Sequence, residues 1–244
     1  MKTIKKHHGI IILAKKSTED NIVRYLLVKK LYTYPFILLL LGKYTYNYRY
    51  NLCINIKINM ITPYELYLLK TYKLKDIYKI YLGQPHNTDF FTLLIKKFRN
   101  YKKIFKQRYK RSIIDHLVDI VKYNTTQWTA PGGICNNNEN IYTCIERELY
   151  EETGISMSDV KNYTKLDYNL NVKNYKNKSK HKIIDYNYYY CGIYNGKKKS
   201  SIYRSFDTEY VYWYTLNEIK FIQIDNYIKK IIEIWHHKLK IKDF

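Results

Sequence analysis

Between residues 131 and 155 the chain reads PGGICNNNENIYTCIERELYEETGI, and the acidic residues in it are spaced for joint work. If residues 140–153 are helical, each position turns by ~100°. Glu148, Glu151 and Glu152, at i, i+3 and i+4, then share one face, while Tyr142, Ile145 and Leu149 form a separate stripe suited to a core. Three carboxylates this close repel one another, at ~0.2–0.5 kcal/mol per like-charged pair, so they need a cation. Arg147 reaches Glu151 at i+4, but one guanidinium does not neutralise three carboxylates. A hard divalent ion such as Mg2+ or Mn2+, bound through oxygen, does. The concentration of acid is the more pointed because the whole chain carries a formal net charge of +22.

Holding such a face in place takes a strand, a turn and a helix in quick succession. QWTA, residues 127–130, reads as the strand. Pro131-Gly132-Gly133 ends it in a tight turn where backbone approaches a ligand closely, which makes Gly132 and Gly133 candidate substrate contacts. The following loop carries Glu139, and Gly154 stops the helix. Upstream, HGIIILA (8–14) and VRYLLVKK (23–30) are β-rich runs separated by the polar, turn-like KKSTEDNI, and read as paired strands of one sheet. Strand character returns at 183–194 and 209–215. A closing helix over about 223–240 has Ile224, Tyr227, Ile228, Ile231 and Trp235 on one face.

Roughly eighty residues separate the early strands from this stretch, too many for a structureless loop, so a helical insert over 43–123 is expected. Thr62-Pro63 caps a helix running to a stop near Gly83. A second starts around Thr88-Asp89, with Phe91, Leu94, Phe98, Tyr101 and Phe105 as its apolar stripe, and a third is read at 112–121. From Lys96 to Arg111, nine of sixteen residues are Lys or Arg and none is acidic. Lys96, Arg99, Lys103 and Lys106 form a basic face opposite the stripe and, with Lys102, are the candidate RNA-contacting residues. A solvated face on a Lys-rich chain has the same appearance, and aromatic stripes of this kind are more often core than base-stacking platforms.

Taken in order, Gly133, five residues, Glu139, seven residues, Arg147-Glu148-Leu149, one residue, Glu151-Glu152, one residue and Gly154-Ile155 resemble a complete Nudix box. That resemblance implies an α+β fold: an α/β/α sandwich with a mixed sheet and the box helix, built from residues 1–42 and 124–244. It also implies metal-dependent hydrolysis of a nucleoside diphosphate linked to another group. Carried onto this chain, Glu152 is the surest metal ligand and Glu151 a second. Glu148 is either a ligand or the general base. Glu139 is a metal ligand in some relatives and a partner of the box arginine in others, and Arg147 orients the carboxylates. Many relatives add a carboxylate from later in the sheet, for which Glu209 is the candidate, with Asp207 and Asp185 behind it.

LLVKK, PFILLLLGKY, NMITPYELYLL and KKFRNYKKIF, in that order before a tryptophan and the box, resemble the Nudix mRNA-decapping proteins of large cytoplasmic DNA viruses, of the poxvirus and asfarvirus type. The reaction this implies is cleavage of the cap of capped RNA to m7GDP and 5'-monophosphate RNA, in the host cytoplasm. A cap pocket then has to offer stacking aromatics and a carboxylate to a flat, cationic base. Pro131-Gly132-Gly133 departs from the P-K-G common in cellular and asfarvirus decapping proteins. Hydrolysis of diphosphoinositol polyphosphates (inositol pyrophosphates) or dinucleoside (nucleoside) polyphosphates therefore stays open. So does an RNA-binding module without catalysis, although the intact Glu148, Glu151 and Glu152 argue against it.

The bulk composition narrows the classes further. The longest unbroken apolar run, Phe36 to Leu41, is far short of the ~20 residues of a membrane span, and the N-terminal MKTIKKHHGIIILAKK reads as a strand and not as an export signal. Cys53, Cys135, Cys144 and Cys191 form no C-x-x-C pair, so neither a zinc site nor a disulfide scaffold is expected, and a reducing cytoplasm fits. Forty-three Lys and Arg against 21 Asp and Glu predict attraction to polyanions, though a chain this rich in Lys, Asn, Ile and Tyr also has the look of AT-rich coding.

Overall fold

A computed structural model describes residues 3–40, 46–47, 52–53, 61–82, 88–110, 112–115, 126–166, 173–176, 182–196 and 208–241. The chain divides into two compact units, residues 1–30 with 127–244, and residues 31–126.

The first unit is built on the central strand β1 (Thr3–Lys16), which pairs in parallel with a late strand and antiparallel with β2 (Val23–Lys30). Ile11, Ile12, Leu13 and Ala14 are all fully buried, because both faces of this strand are covered. Ile11 and Leu13, with Leu26 and Val28 of β2, belong to one core, whereas Ile12 and Ala14, with Tyr25 and Leu27, belong to another. The alternation of strand side chains thus splits one apolar run between two helix layers.

The second unit contains α1 (Tyr34–Leu40), a short hairpin of β3 (Tyr46–Asn47) and β4 (Leu52–Cys53), α2 (Pro63–Thr71), α3 (Leu74–Leu82) and α4 (Thr88–Tyr109). Its core gathers Tyr32, Phe36, Leu39 and Leu40 with Leu66, Leu69, Ile77 and Tyr78, and with Leu94, Phe98, Tyr101 and Phe105 of α4. Residues 31–40, expected in the first unit, therefore belong to the second.

The single helix expected from Thr62 to Gly83 is two. Tyr72 caps α2 in an extended conformation, and Asp76 and Ile77 donate to the carbonyl of Lys73 to start α3. A continuous helix would carry the Leu66–Leu69 stripe on to Lys73 and Asp76, and burying those charges costs more than breaking the rod. Of the helix expected over 112–121, only 112–115 fall within the described residues; 113–115 are helical.

Back in the first unit, β5 (Trp128–Thr129) pairs with β2, and β6 (Gly132–Ile134) pairs antiparallel with His8–Ile10 of β1. Pro131-Gly132-Gly133 is therefore not a free turn. It is stitched into the sheet, with the Ile11 N–H donating to the Pro131 carbonyl at 3.0 Å. The helix α5 (Ile141–Thr153) follows, capped by the Asn140 side chain at one end and by Gly154, in the left-handed region at φ 63°, at the other. Ile145 and Leu149 bury against Ile11, Leu13, Leu26 and Val28. Tyr142, expected in that core, is 47% exposed and meets the Tyr163 ring edge-on, while Cys144 is buried in its stead.

The sheet continues through β7 (Val160–Lys165), β8 (Lys173–Lys176), β9 (Lys182–Tyr194) and β10 (Thr208–Thr215), in the order β10-β2-β1-β9-β7, with β1 and β9 parallel. The short α6 (Leu216–Ile219) leads to α7 (Asn226–Ile241), whose Ile228, Ile231, Ile232, Trp235 and Leu239 cover the face opposite α5. Tyr227, placed on that apolar face by its spacing, is 42% exposed. A mixed sheet between two helix layers is the α/β/α sandwich expected for this unit.

Candidate active site

Of the carboxylates of α5, Glu148 and Glu152 are largely buried and Glu151 is exposed beside them, and two cations of the chain meet these three. Arg147 donates through Nε and Nη2 to the two oxygens of Glu139, at 2.9 and 3.0 Å. Its Nη1 donates to Glu148 at 2.7 Å and to Glu151 at 3.2 Å, and Nη2 also donates to the Ile134 carbonyl at 3.2 Å. Glu139 is further held by the Asn136 N–H at 2.7 Å. One guanidinium thus gathers Glu139, Glu148 and Glu151, in the planar, forked manner that favours arginine over lysine.

Glu152 is placed differently. It is 2% exposed, its Oε1 is ion-paired to Nζ of Lys30, and its Oε2 accepts from the Gly132 N–H at 3.0 Å. Gly132 has φ 153°, and a Cβ there would lie 2.4 Å from the Gly9 carbonyl oxygen, so only glycine lets β6 run this close to β1. A Cβ on Gly133 would lie 2.4 Å from the Glu148 carboxylate. The glycine pair makes room for Glu148 and supplies a donor to Glu152.

The electrostatics follow burial and pairing. Burial pushes the Glu148 carboxyl above its ordinary range, opposed by Arg147 and Lys30. The hydrogen bonds from Arg147 hold Glu139 below its ordinary range, and Glu139 in turn raises the Arg147 guanidinium.

Glu209, the candidate carboxylate from outside the box, is ion-paired to Lys29 at 3.1 Å. It sits at the bulge between Thr208 and Tyr210, where β10 slips register against β2. Lys29 alternates with Lys30, so this ion pair is made on the opposite side of β2 from Glu152. The structure thus does not join Glu209 to the box carboxylates. Asp185 pairs through its backbone with Lys6 in the middle of the parallel β1–β9 ladder, and Asp207 lies outside the described residues.

Lys30 went unrecognised in the sequence. The available signal was VRYLLVKK itself, in which Leu26, Val28 and Lys30 share a face. Which face α5 covers was not readable from that strand.

The model of the NUDIX domain matches residues 104–233, more than half of the chain. This chain belongs to the Nudix family. The mRNA-decapping protein g5R of African swine fever virus is 28% identical over 151 residues, which cover 61% of this chain. The matched region spans 59% of that relative's length. Two solved Nudix structures are also similar, at low scores. A C. elegans Ap4A hydrolase binary complex is 11% identical with a TM-score of 0.44, over 96% of this chain and 98% of that one. The NUDIX domain of Shewanella oneidensis NrtR complexed with ADP ribose is 10% identical with a TM-score of 0.42, over 98% and 90%.

Among the described residues no group of three or more His, Cys, Asp or Glu side chains is gathered as a ready metal cage. In this Nudix chain the box carboxylates are instead drawn onto Arg147 and Lys30. The donor set nevertheless fits a hard divalent ion. Four carboxylates, Glu139, Glu148, Glu151 and Glu152, stand against two cations, Arg147 and Lys30, and the difference within this set is two negative charges on oxygen donors.

Proposed function

We propose that the chain is a metal-dependent pyrophosphohydrolase whose substrate is capped RNA, cleaved to m7GDP and 5'-monophosphate RNA. The observation that carries the reading is the convergence of Glu148, Glu151 and Glu152 beside the glycine strand β6. Glu152 and Glu151 would hold Mg2+ or Mn2+, with Glu148 as a further ligand or as the general base. Bound there, the ion supplies charge neutralisation on the phosphate chain and a water of lowered pKa. Arg147 keeps Glu139, Glu148 and Glu151 oriented, and burial raises the Glu148 carboxyl, which makes its ionised form the stronger proton acceptor.

The choice of capped RNA is supported by the likeness to the mRNA-decapping protein g5R and by α4. Leu94, Phe98, Tyr101 and Phe105 are buried in the second unit's core, so the three rings among them are packing residues and not stacking platforms. Lys96, Arg99, Lys102, Lys103 and Lys106 are all exposed, which is the arrangement a phosphate-tracking helix requires. No helix among the described residues is long and apolar enough to cross a membrane.

Two measurements test this reading. With Mg2+ present, cap-labelled RNA of ~30 nucleotides should turn over faster than free cap analogue and faster than an inositol pyrophosphate, since only the RNA body engages a phosphate-tracking surface. Faster turnover of either small molecule, with no competition by uncapped RNA, assigns the site to small polyanions. Reversing Lys102, Lys103 and Lys106 to Glu should weaken RNA binding by about tenfold or more at 0.1 M salt and flatten its salt dependence. An unmoved affinity takes the RNA-holding role away from α4.

A further inference from the structure

We infer that Lys30 is a displaceable counter-cation of Glu152: it neutralises this buried carboxylate in the metal-free chain and surrenders it when a divalent ion binds. Lys30 thereby sets how tightly the site takes metal. The inference rests on the reading of Glu152 as a metal ligand.

Glu152 is 2% exposed, and a charge so placed needs a partner at all times. One of its oxygens is held by Gly132 N–H, a contact a metal-bound carboxylate can keep, since each oxygen has two lone pairs. The other is on the Lys30 ammonium, and a second cation bound at that same oxygen would stand close to the first, where like charges repel. Lys30 and a metal ion therefore compete for the same oxygen.

Of the two cations in the cluster, Lys30 is the one built to give way. Arg147 is fixed by bonds to Glu139, Glu148, Glu151 and the Ile134 carbonyl, and releasing it would leave several acceptors stranded. Lys30 is a compact, strongly hydrated charge on a flexible stem, and its side chain is 25% exposed, so its head can swing into water. It is also held where it is needed: Leu26 and Val28 bury against α5, and the period of the strand puts Lys30 next on that face, at the end of β2.

The test uses the full chain and Mn2+ alone as probe, with free Mn2+ read by electron paramagnetic resonance. Lys30→Met removes the competitor and should tighten Mn2+ binding by about tenfold, while lowering the melting temperature of the metal-free chain. Lys30→Arg installs a forked cation that holds the carboxylate more firmly, and should weaken Mn2+ binding. A residue that merely supports the fold would not move the two variants in opposite directions.

In a Glu152→Gln background, adding Lys30→Met should no longer change Mn2+ binding. Unchanged or weaker Mn2+ binding by Lys30→Met in the otherwise natural chain overturns the inference. If that variant does not fold, Lys30→Arg decides, with equal or tighter binding overturning it. Failure of the natural chain and both variants to bind Mn2+ at all removes the metal reading of the site, and this inference with it.

Discussion

Changing Glu151 and Glu152 together to Gln should remove the proposed Mg2+-dependent hydrolysis, with an expected loss of at least about 100-fold in kcat/KM, the upper end of what loss of a supporting residue around a metal costs. Gln keeps the shape and one acceptor oxygen, so the Gly132 N–H retains a partner, while both negative charges are gone. Glu151 is exposed and tolerates the change, whereas Glu152 is buried and Lys30 loses its ion partner there. The fold must therefore be checked by far-UV circular dichroism on the same sample. RNA affinity should stay close to that of the natural chain, because the proposed RNA-tracking lysines are not touched. Hydrolysis at the natural rate in this variant would show that the bond is broken elsewhere.

The second large effect falls in the other unit. Glu65 is fully buried, and its carboxylate accepts from the Thr33 N–H, from the Thr33 hydroxyl at 2.9 Å and from the Thr62 N–H at 2.7 Å. In return its own N–H donates to the Thr62 hydroxyl at 3.1 Å, completing a capping box at the start of α2. Glu65→Ala leaves several donors unpaired in a buried place, at ~1–3 kcal/mol each, so a loss of about 3–5 kcal/mol is expected. Hydrogen exchange across 61–82 reads it directly; protection equal to that of the natural chain would show that water or a rearranged side chain replaces the carboxylate.

The pH dependence of the same substitution has a definite sign. Burial raises the Glu65 carboxyl above its ordinary value, more than its hydrogen bonds lower it. The folded state then holds a proton that the unfolded state has released, so this group's contribution is full below the ordinary value and falls as pH rises through the raised one. The destabilisation caused by Glu65→Ala should accordingly shrink as pH increases over that range, as followed by denaturant midpoints at several pH values.

Much of the catalytic reading was legible beforehand because it is local. The i, i+3, i+4 spacing of Glu148, Glu151 and Glu152, the reach of Arg147 to Glu151 and the stop at Gly154 all follow from helix geometry. So does the stripe of α4, where Leu94, Phe98, Tyr101 and Phe105 are buried. The errors have physical causes of the same kind. Tyr142 fits the helical stripe with Ile145 and Leu149 but lies at the first turn, where it meets the Tyr163 ring of β7 edge-on and stays 47% exposed. The rod expected from Thr62 to Gly83 breaks because its apolar period fails at Lys73 and Asp76. Pro131-Gly132-Gly133 has every mark of a turn, yet the partner that makes it a strand is β1, more than a hundred residues earlier.

By itself the sequence determined the helix, its acidic face, its caps and the family these belong to, since helix hydrogen bonds join residues four apart and their pattern is written in neighbouring letters. Tertiary structure alone decided that Lys30 joins Arg147 at that face. Lys30 and Glu152 are 122 residues apart, and Glu209 is drawn to Lys29 by a one-residue bulge. Strand side chains alternate, so a shift of a single residue in pairing exchanges one face for the other, and that register is set by long-range packing.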